Sequence, residues 1–245
     1  MNPADRPVKS TSARRRRLIA VVTGVVAATL GGSVVALSSL DSAADLPSVK
    51  AVRLDPPTPA VVIGDSAIAA LRWVPNAAGA LVGFDHTLDL ESCRRLVQTS
   101  CTGREGRRPP TLYDALLAHG DNYHTLVVAT GYNDGTSSFA ASFELIVGRA
   151  RALGYERIVW WTLRSDVDYV SPGSIGNHLT FAANNRVLRE LLATGEYPEV
   201  VLADWGALTV DRHEWFATDG VHYRSIGAWG AAAVSYTHLR AHETT

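Results

Sequence analysis

Lysine is nearly absent from this chain. Of 23 basic residues in 245, only Lys9 and Lys50 are lysine. Arginine in lysine's place, with abundant alanine, is a compositional mark of a GC-rich bacterial genome. Net charge is equally scarce: 23 basic against 24 acidic residues leave −1. No bulk field therefore draws the chain toward nucleic acid or an acidic polymer. Cysteine is limited to Cys93 and Cys101. There is no Cys-x-x-Cys pair, and His86, His119, His124, His178 and His213 show no ligand spacing. A metal site is thus not expected, and no motif asks for an organic cofactor. In an exported protein the two cysteines would close a small disulfide loop; otherwise they are unrelated buried thiols.

Charge is missing altogether from Leu18 to Leu40, a run of mostly Val, Ala, Leu and Gly directly behind Arg14, Arg15, Arg16 and Arg17. A helix needs about 20 apolar residues to cross a bilayer, and the arginines should hold the N-terminal end in the cytoplasm. Two readings stay open. The length of the run favours an uncleaved membrane anchor. Small residues at Ala36-Leu37-Ser38 and Ser42-Ala43-Ala44 suit a cleaved signal peptide. Either way the rest of the chain is expected outside the cytoplasm, tethered to the membrane or secreted. The expected layout is a basic tail at 1–17, the apolar segment at 18–40, a polar Pro-containing linker at 41–56 and one folded domain at 57–234.

With 47% hydrophobic residues, the folded part can bury a sizeable core. Short apolar runs read as strands at Val61–Ile63, Ala80–Phe84, Thr125–Ala129, Arg157–Leu163 and Val200–Ala203. Helical spacing falls between them at Phe139–Leu153, ahead of Gly154, and at Phe181–Leu192, ahead of Gly195. Alternating strands and helices predict an α/β fold with a parallel sheet covered on both faces. Ligands of such sheets bind beyond the carboxyl ends of the strands.

Reactive side chains cluster at those ends. The first strand runs into Gly64-Asp65-Ser66, and the third into Gly131-Tyr132-Asn133-Asp134. After the fifth comes Asp219-Gly220-Val221-His222. Each block alone is ordinary turn or capping chemistry. Together they place a hydroxyl, an amide and a carboxylate–imidazole pair at one sheet edge. Serine is a weak nucleophile at neutral pH without a base. A histidine oriented by a carboxylate supplies one, which points to acyl transfer.

In order and content these blocks resemble those of the SGNH/GDSL hydrolases, over roughly residues 57–234. The resemblance implies a three-layer α/β/α sandwich with a five-stranded parallel sheet. It implies Ser66, Asp219 and His222 as catalytic triad. It also implies an oxyanion hole from the Ser66 N–H, the Asn133 side chain and a backbone N–H in a second block. That block departs from the family pattern. Leu90-Glu91-Ser92-Cys93-Arg94-Arg95 has no glycine, and Cys93 is the candidate for its place. A Cys93–Cys101 bond would brace the loop carrying this donor. The reaction expected is hydrolysis of small acyl esters of a sugar or lipid. The alternatives are transfer of the acyl group to another sugar, and a non-catalytic, membrane-tethered binding domain.

Other residues carry weaker expectations. Arg94 and Arg95 could hold an anionic or sugar substrate, Asp166 and Asp168 could line the cleft, and Trp215 could shape the pocket. Trp160 and Trp161 read as core, and Asp204 as structural. A helix is expected from Ser225 to Val234. From Ser235 the chain changes character to SYTHLRAHETT, so residues 235–245 read as an anomalous, artefactual tail that cuts the last helix short. His238 and His242 are therefore left out of the site.

Overall fold

The computed structural model describes residues 59–78 and 85–240, the stretch 234–240 by backbone alone. The expected tail, apolar segment and linker at 1–56, the expected strand at Ala80–Phe84 and the final residues 241–245 lie outside the described residues. Among the described residues, no helix is long and apolar enough to cross a membrane.

Five strands form one parallel sheet in the order β2-β1-β3-β4-β5. They are β1 (Pro59–Gly64), β2 (Asp85–Leu90), β3 (Thr125–Ala129), β4 (Arg157–Trp161) and β5 (Val200–Ala203). The central strands β1, β3 and β4 are almost wholly buried, as their continuous apolar runs require. The described second strand, DHTLDL, lies C-terminal to the apolar run Ala80–Phe84. It is an edge strand with one neighbour and mostly half-buried side chains, so it carries no apolar run to betray it.

Alternation along the strands divides the core into two layers. Val61 and Ile63 face one side, with α1 (Leu112–His119), α2 (Thr136–Ala152) and α3 (Ile175–Ala193). Phe143, Ile146 and Val147 of α2 are fully buried there, each worth about 1.5–3 kcal/mol of transfer free energy. Val62 faces the other side, against a 3-10 turn at Ile68–Arg72, Trp205 of the short α4 (Trp205–Leu208), and α5 (Ser225–Arg240). The result is the three-layer α/β/α sandwich. Helix α1 is only eight residues long, too short for helical periodicity to stand out in the sequence. It starts at Thr111, whose hydroxyl accepts from the Asp114 N–H while the Asp114 carboxylate accepts from the Thr111 N–H.

Helix α5 continues to Arg240, past the change of character at Ser235. Two of its glycines, Gly227 and Gly230, let it lie directly on Trp215; a Cβ at either would collide with that residue. Trp215 is thus a seat for α5 and packs on Trp205.

Candidate active site

Strand β1 has β2 on one side and β3 on the other, so its carboxyl end is the switch point of the sheet. Gly64 closes the strand because a side chain there would strike Ile68 and Leu90. Asp65 follows, fully buried. Its Oδ1 accepts from Ala67 N at 3.0 Å, and its Oδ2 accepts from Gly131 N and Tyr132 N, each at 3.1 Å. One carboxylate therefore ties the first block to the third. Burial pushes its pKa up, against the pull of those N–H groups and of His222. Ser66 is half-buried, and among the described residues its hydroxyl has no hydrogen-bond partner.

The third block is fixed from two sides. Asn133 Nδ2 donates to Arg94 O at 3.1 Å. Both carboxylate oxygens of buried Asp134 lie 3.2 Å from Leu96 N, which donates to them. Burial pushes the Asp134 carboxyl up to about 7. Asn184 of α3 donates to the Asp134 carbonyl at 3.0 Å.

The second block follows the end of β2. Cys93 has φ +67°, the left-handed region that glycine enters freely and other residues enter at a cost. It is bonded to Cys101, with the two Cα atoms 5.4 Å apart. Arg94 is not available to a substrate. Its guanidinium is 1% exposed and donates to Asp89 O and Oδ1, both at 2.7 Å, and to Pro110 O at 3.2 Å. Buried beneath the block, it pins the loop to the end of β2.

Asp219 and His222 sit on a tight loop closed by Ala217 N donating to His222 O at 2.8 Å and by a bridge between Phe216 and Tyr223. Asp219 Oδ2 is 2.7 Å from His222 Nδ1, and Oδ1 accepts from Val221 N and His222 N at 2.9 and 3.0 Å. Burial works to raise the Asp219 pKa, but these donors outweigh it and hold the carboxylate well below its usual range. An ionised Asp219 fixes the tautomer, since Nδ1 must donate and Nε2 is left free to accept. The hydrogen bond to Asp219 raises the His222 pKa. Partial burial and the charge of Arg104 oppose the rise, and the charges of Asp219 and Asp65 add to it.

Two buried side chains support this loop, and neither stood out in the sequence. Arg164 donates to Gly220 O at 3.1 Å and to Asp166 at 3.0 Å, and lies over the Phe216 ring. His178 Nε2 donates to Asp219 O at 2.8 Å. Asp166 is therefore a partner of Arg164, and Asp168 is exposed beside it. Asp204 caps α4 and pairs with Arg189.

Ser66, Cys93, Asn133 and His222 line one cavity of about 460 Å³. Trp73 and Arg104 stand at its rim; Trp215, Asp166 and Asp168 do not line it. Three chain segments distant in sequence thus bring a free hydroxyl, a carboxylate-bound imidazole and an amide to one space. Among the described residues, no group of three or more His, Cys, Asp or Glu side chains could hold a metal ion.

No family model matches the sequence, and no curated protein does. Solved structures do. One is described as an SGNH hydrolase from Slackia heliotrinireducens, at TM-score 0.54 and 19% identity, covering 75% of this chain and 99% of that one. A carbohydrate acetylesterase family member from Sinorhizobium meliloti matches at TM-score 0.53 and 15% identity, over 75% and 98%. A protein from Parabacteroides merdae described as a GDSL-like lipase matches at TM-score 0.51 and 13% identity, over 78% and 98%.

Proposed function

We infer that this chain, which has the fold of the SGNH/GDSL hydrolases, is a serine hydrolase of carboxylic esters that works through an acyl-enzyme on Ser66. The observation that carries this reading is the shared cavity. An imidazole oriented by an ionised carboxylate, an unpartnered serine hydroxyl and an amide open on the same 460 Å³. Catalytic hydrogen bonds commonly tighten only once substrate is bound.

In the proposed reaction Ser66 Oγ attacks the ester carbonyl while His222 Nε2 takes its proton. The oxyanion receives the Ser66 and Cys93 N–H groups and Asn133 Nδ2, which has a second proton beyond the one given to Arg94 O. The tetrahedral species collapses, and the leaving alkoxide takes the proton from His222. Water, deprotonated by His222, then attacks the acyl carbon; the Ser66 Oγ–acyl bond breaks, and His222 returns the proton to Ser66 Oγ as the acid leaves. Asp219 holds the ring throughout and stabilises the imidazolium.

Substrates are small acyl esters of a sugar or lipid outside the cytoplasm. The arginine block at 14–17 ahead of the apolar run at 18–40 supports this location. Aryl and alkyl esters of increasing acyl length, assayed on protein lacking residues 1–40, test the reading. Free acid should be the product even with an alcohol acceptor present. Ser66→Ala should lose hydrolysis and fluorophosphonate labelling together; labelling that survives the substitution sinks the assignment.

A further inference from the structure

A second cavity, of about 600 Å³, adjoins the first and shares Trp73 and Arg104 with it. Val74, Glu105, Tyr223 and Arg224 are among its other lining residues. Its charge balance is one-sided. Glu105 is matched by Arg72 at 2.8 Å and accepts from Ser92 Oγ at 3.1 Å. Among the described residues, neither the Arg104 nor the Arg224 guanidinium has a partner, and both are exposed. Two uncompensated cations and an exposed indole therefore face one space.

The backbone that presents Arg104 is fixed. It belongs to the loop from Cys101 to Arg107, which is fastened to the second block at several points. The Cys93–Cys101 bond closes one end, and Arg107 pairs with Glu91 at the other. Between them Glu105 meets Ser92, and Gly103 N donates to Arg107 O at 2.8 Å. Gly103 lies so close to the Ser92 carbonyl that a Cβ would not fit.

The chemistry says which half of an ester would reach this space. The leaving alkoxide receives its proton from His222, so the alcohol half lies on the His222 side. Tyr223 and Arg224 follow His222 directly and wall the second cavity. We propose that the alcohol half of the substrate carries an anionic group, carboxylate or phosphate, which Arg104 and Arg224 bind in the second cavity while Trp73 covers its apolar part. Arginine suits both anions because its planar fork can meet two oxygens at once. The charge of Arg104 already reaches His222, as expected of a cation at the leaving-group side. The proposal rests on the ester hydrolase reading of Ser66 for its orientation.

Matched aryl esters test it on the full chain: phenyl acetate, 4-acetoxybenzoate and 4-acetoxyphenyl phosphate. With rates taken relative to uncatalysed hydrolysis, an anionic ester should be preferred by roughly tenfold in kcat/KM at low salt. The preference should shrink at high salt, since the guanidinium groups are exposed. Which anionic ester leads distinguishes carboxylate from phosphate. Arg104→Gln combined with Arg224→Gln should collapse the ratio toward one, and Arg104→Lys should retain part of it. An unchanged ratio in the double variant overturns the proposal. Binding of 4-hydroxybenzoate and 4-hydroxyphenyl phosphate against phenol to the Ser66→Ala protein, by calorimetry, decides the anion site without turnover. If no ester is hydrolysed, the hydrolase reading fails while this arm still answers. Tighter binding of either anion than of phenol, abolished by the two glutamines, supports the site, and equal binding of all three ligands overturns it.

Discussion

The Asp219 carboxylate accepts from His222 twice, from the ring Nδ1 at 2.7 Å and from the backbone N–H at 3.0 Å. The residue that orients the imidazole also fixes the turn that carries it, so ring and backbone cannot move apart independently.

This coupling sets a pH dependence. The hydrogen bond and charge of Asp219 favour imidazolium, so the His222 pKa lies above its ordinary 6.5. As a base His222 must be neutral, and kcat/KM should fall as pH drops through that raised value. Asp219→Asn removes the largest raising cause. Its acid limb should move to lower pH while the maximal rate drops about 10³–10⁴-fold, because the tautomer is no longer enforced. For the fold, Asp219 contributes above its unfolded value near 3.8 and His222 below its own near 6.5. The pair therefore stabilises most between those two pH values. A pH–rate profile of both proteins checks the shift; an acid limb that stays put would show that another group governs it.

Cys93 holds its left-handed backbone at a cost of about 1–2 kcal/mol that glycine would not incur. The bond to Cys101 offsets this by closing a short loop, worth about 2.5 kcal/mol in chain entropy. With Cys101→Ser as background, Cys93→Gly should be more stable than Cys93→Ala by about 1 kcal/mol. It should also keep more activity, because its N–H stays where the oxyanion donor is needed. Both should fall below the oxidised wild type in Tm and in kcat. Thermal melts and initial rates of the two double variants decide it; equal behaviour would mean that the conformation at 93 does not matter.

Strands at the centre of the sheet were legible from Val62, Val127 and Val159, because burial on both faces demands continuous apolar runs. Strand β2 was not, since Asp85, Thr87 and Asp89 mark an edge that shares its polar pattern with loops. At the site, Ser66, Asn133 and His222 could be named from short blocks after strands, and the structure lines one cavity with all three. Their supports could not. Arg164 and His178 lie 58 and 44 positions before His222 in the sequence and act only through buried contacts with the Asp219–Gly220 backbone. Arg94 showed the opposite failure. A charged residue in a loop suggests solvent or ligand, yet its hydrogen bonds to Asp89 and Pro110 are met inside.

Gly220 tests those supports directly. It has φ +71°, and a Cβ there would meet Val170, Arg164 and His178 at once. Gly220→Ala must therefore shift the loop that carries Asp219 and His222. A displacement near 1 Å costs on the order of 100-fold in rate. The expected signature is a large loss in kcat with little change in KM, alongside a lowered Tm. Wild-type kcat in a folded Gly220→Ala protein would show that the loop relaxes without moving the ring.

Asp134 gives the opposite sign of effect. Burial holds its carboxyl up to about 7, against 3.8 for an unperturbed group. Below pH 3.8 both states are protonated and the group is neutral to stability. As pH rises from there toward 7, the unfolded chain ionises first, so folding is progressively disfavoured, and above 7 the penalty stays constant. Asp134→Asn keeps an acceptor for the Leu96 N–H and removes the buried charge. Its Tm should exceed that of the wild type at pH 8 by about 3 °C, and the gap should narrow toward pH 5. Asp134→Ala also removes the charge but leaves the Leu96 N–H without a partner, so its Tm should lie below that of Asp134→Asn at every pH. Melting curves from pH 5 to 8 separate the cases, and a gap that does not vary with pH would show that Asp134 is already ionised throughout that range.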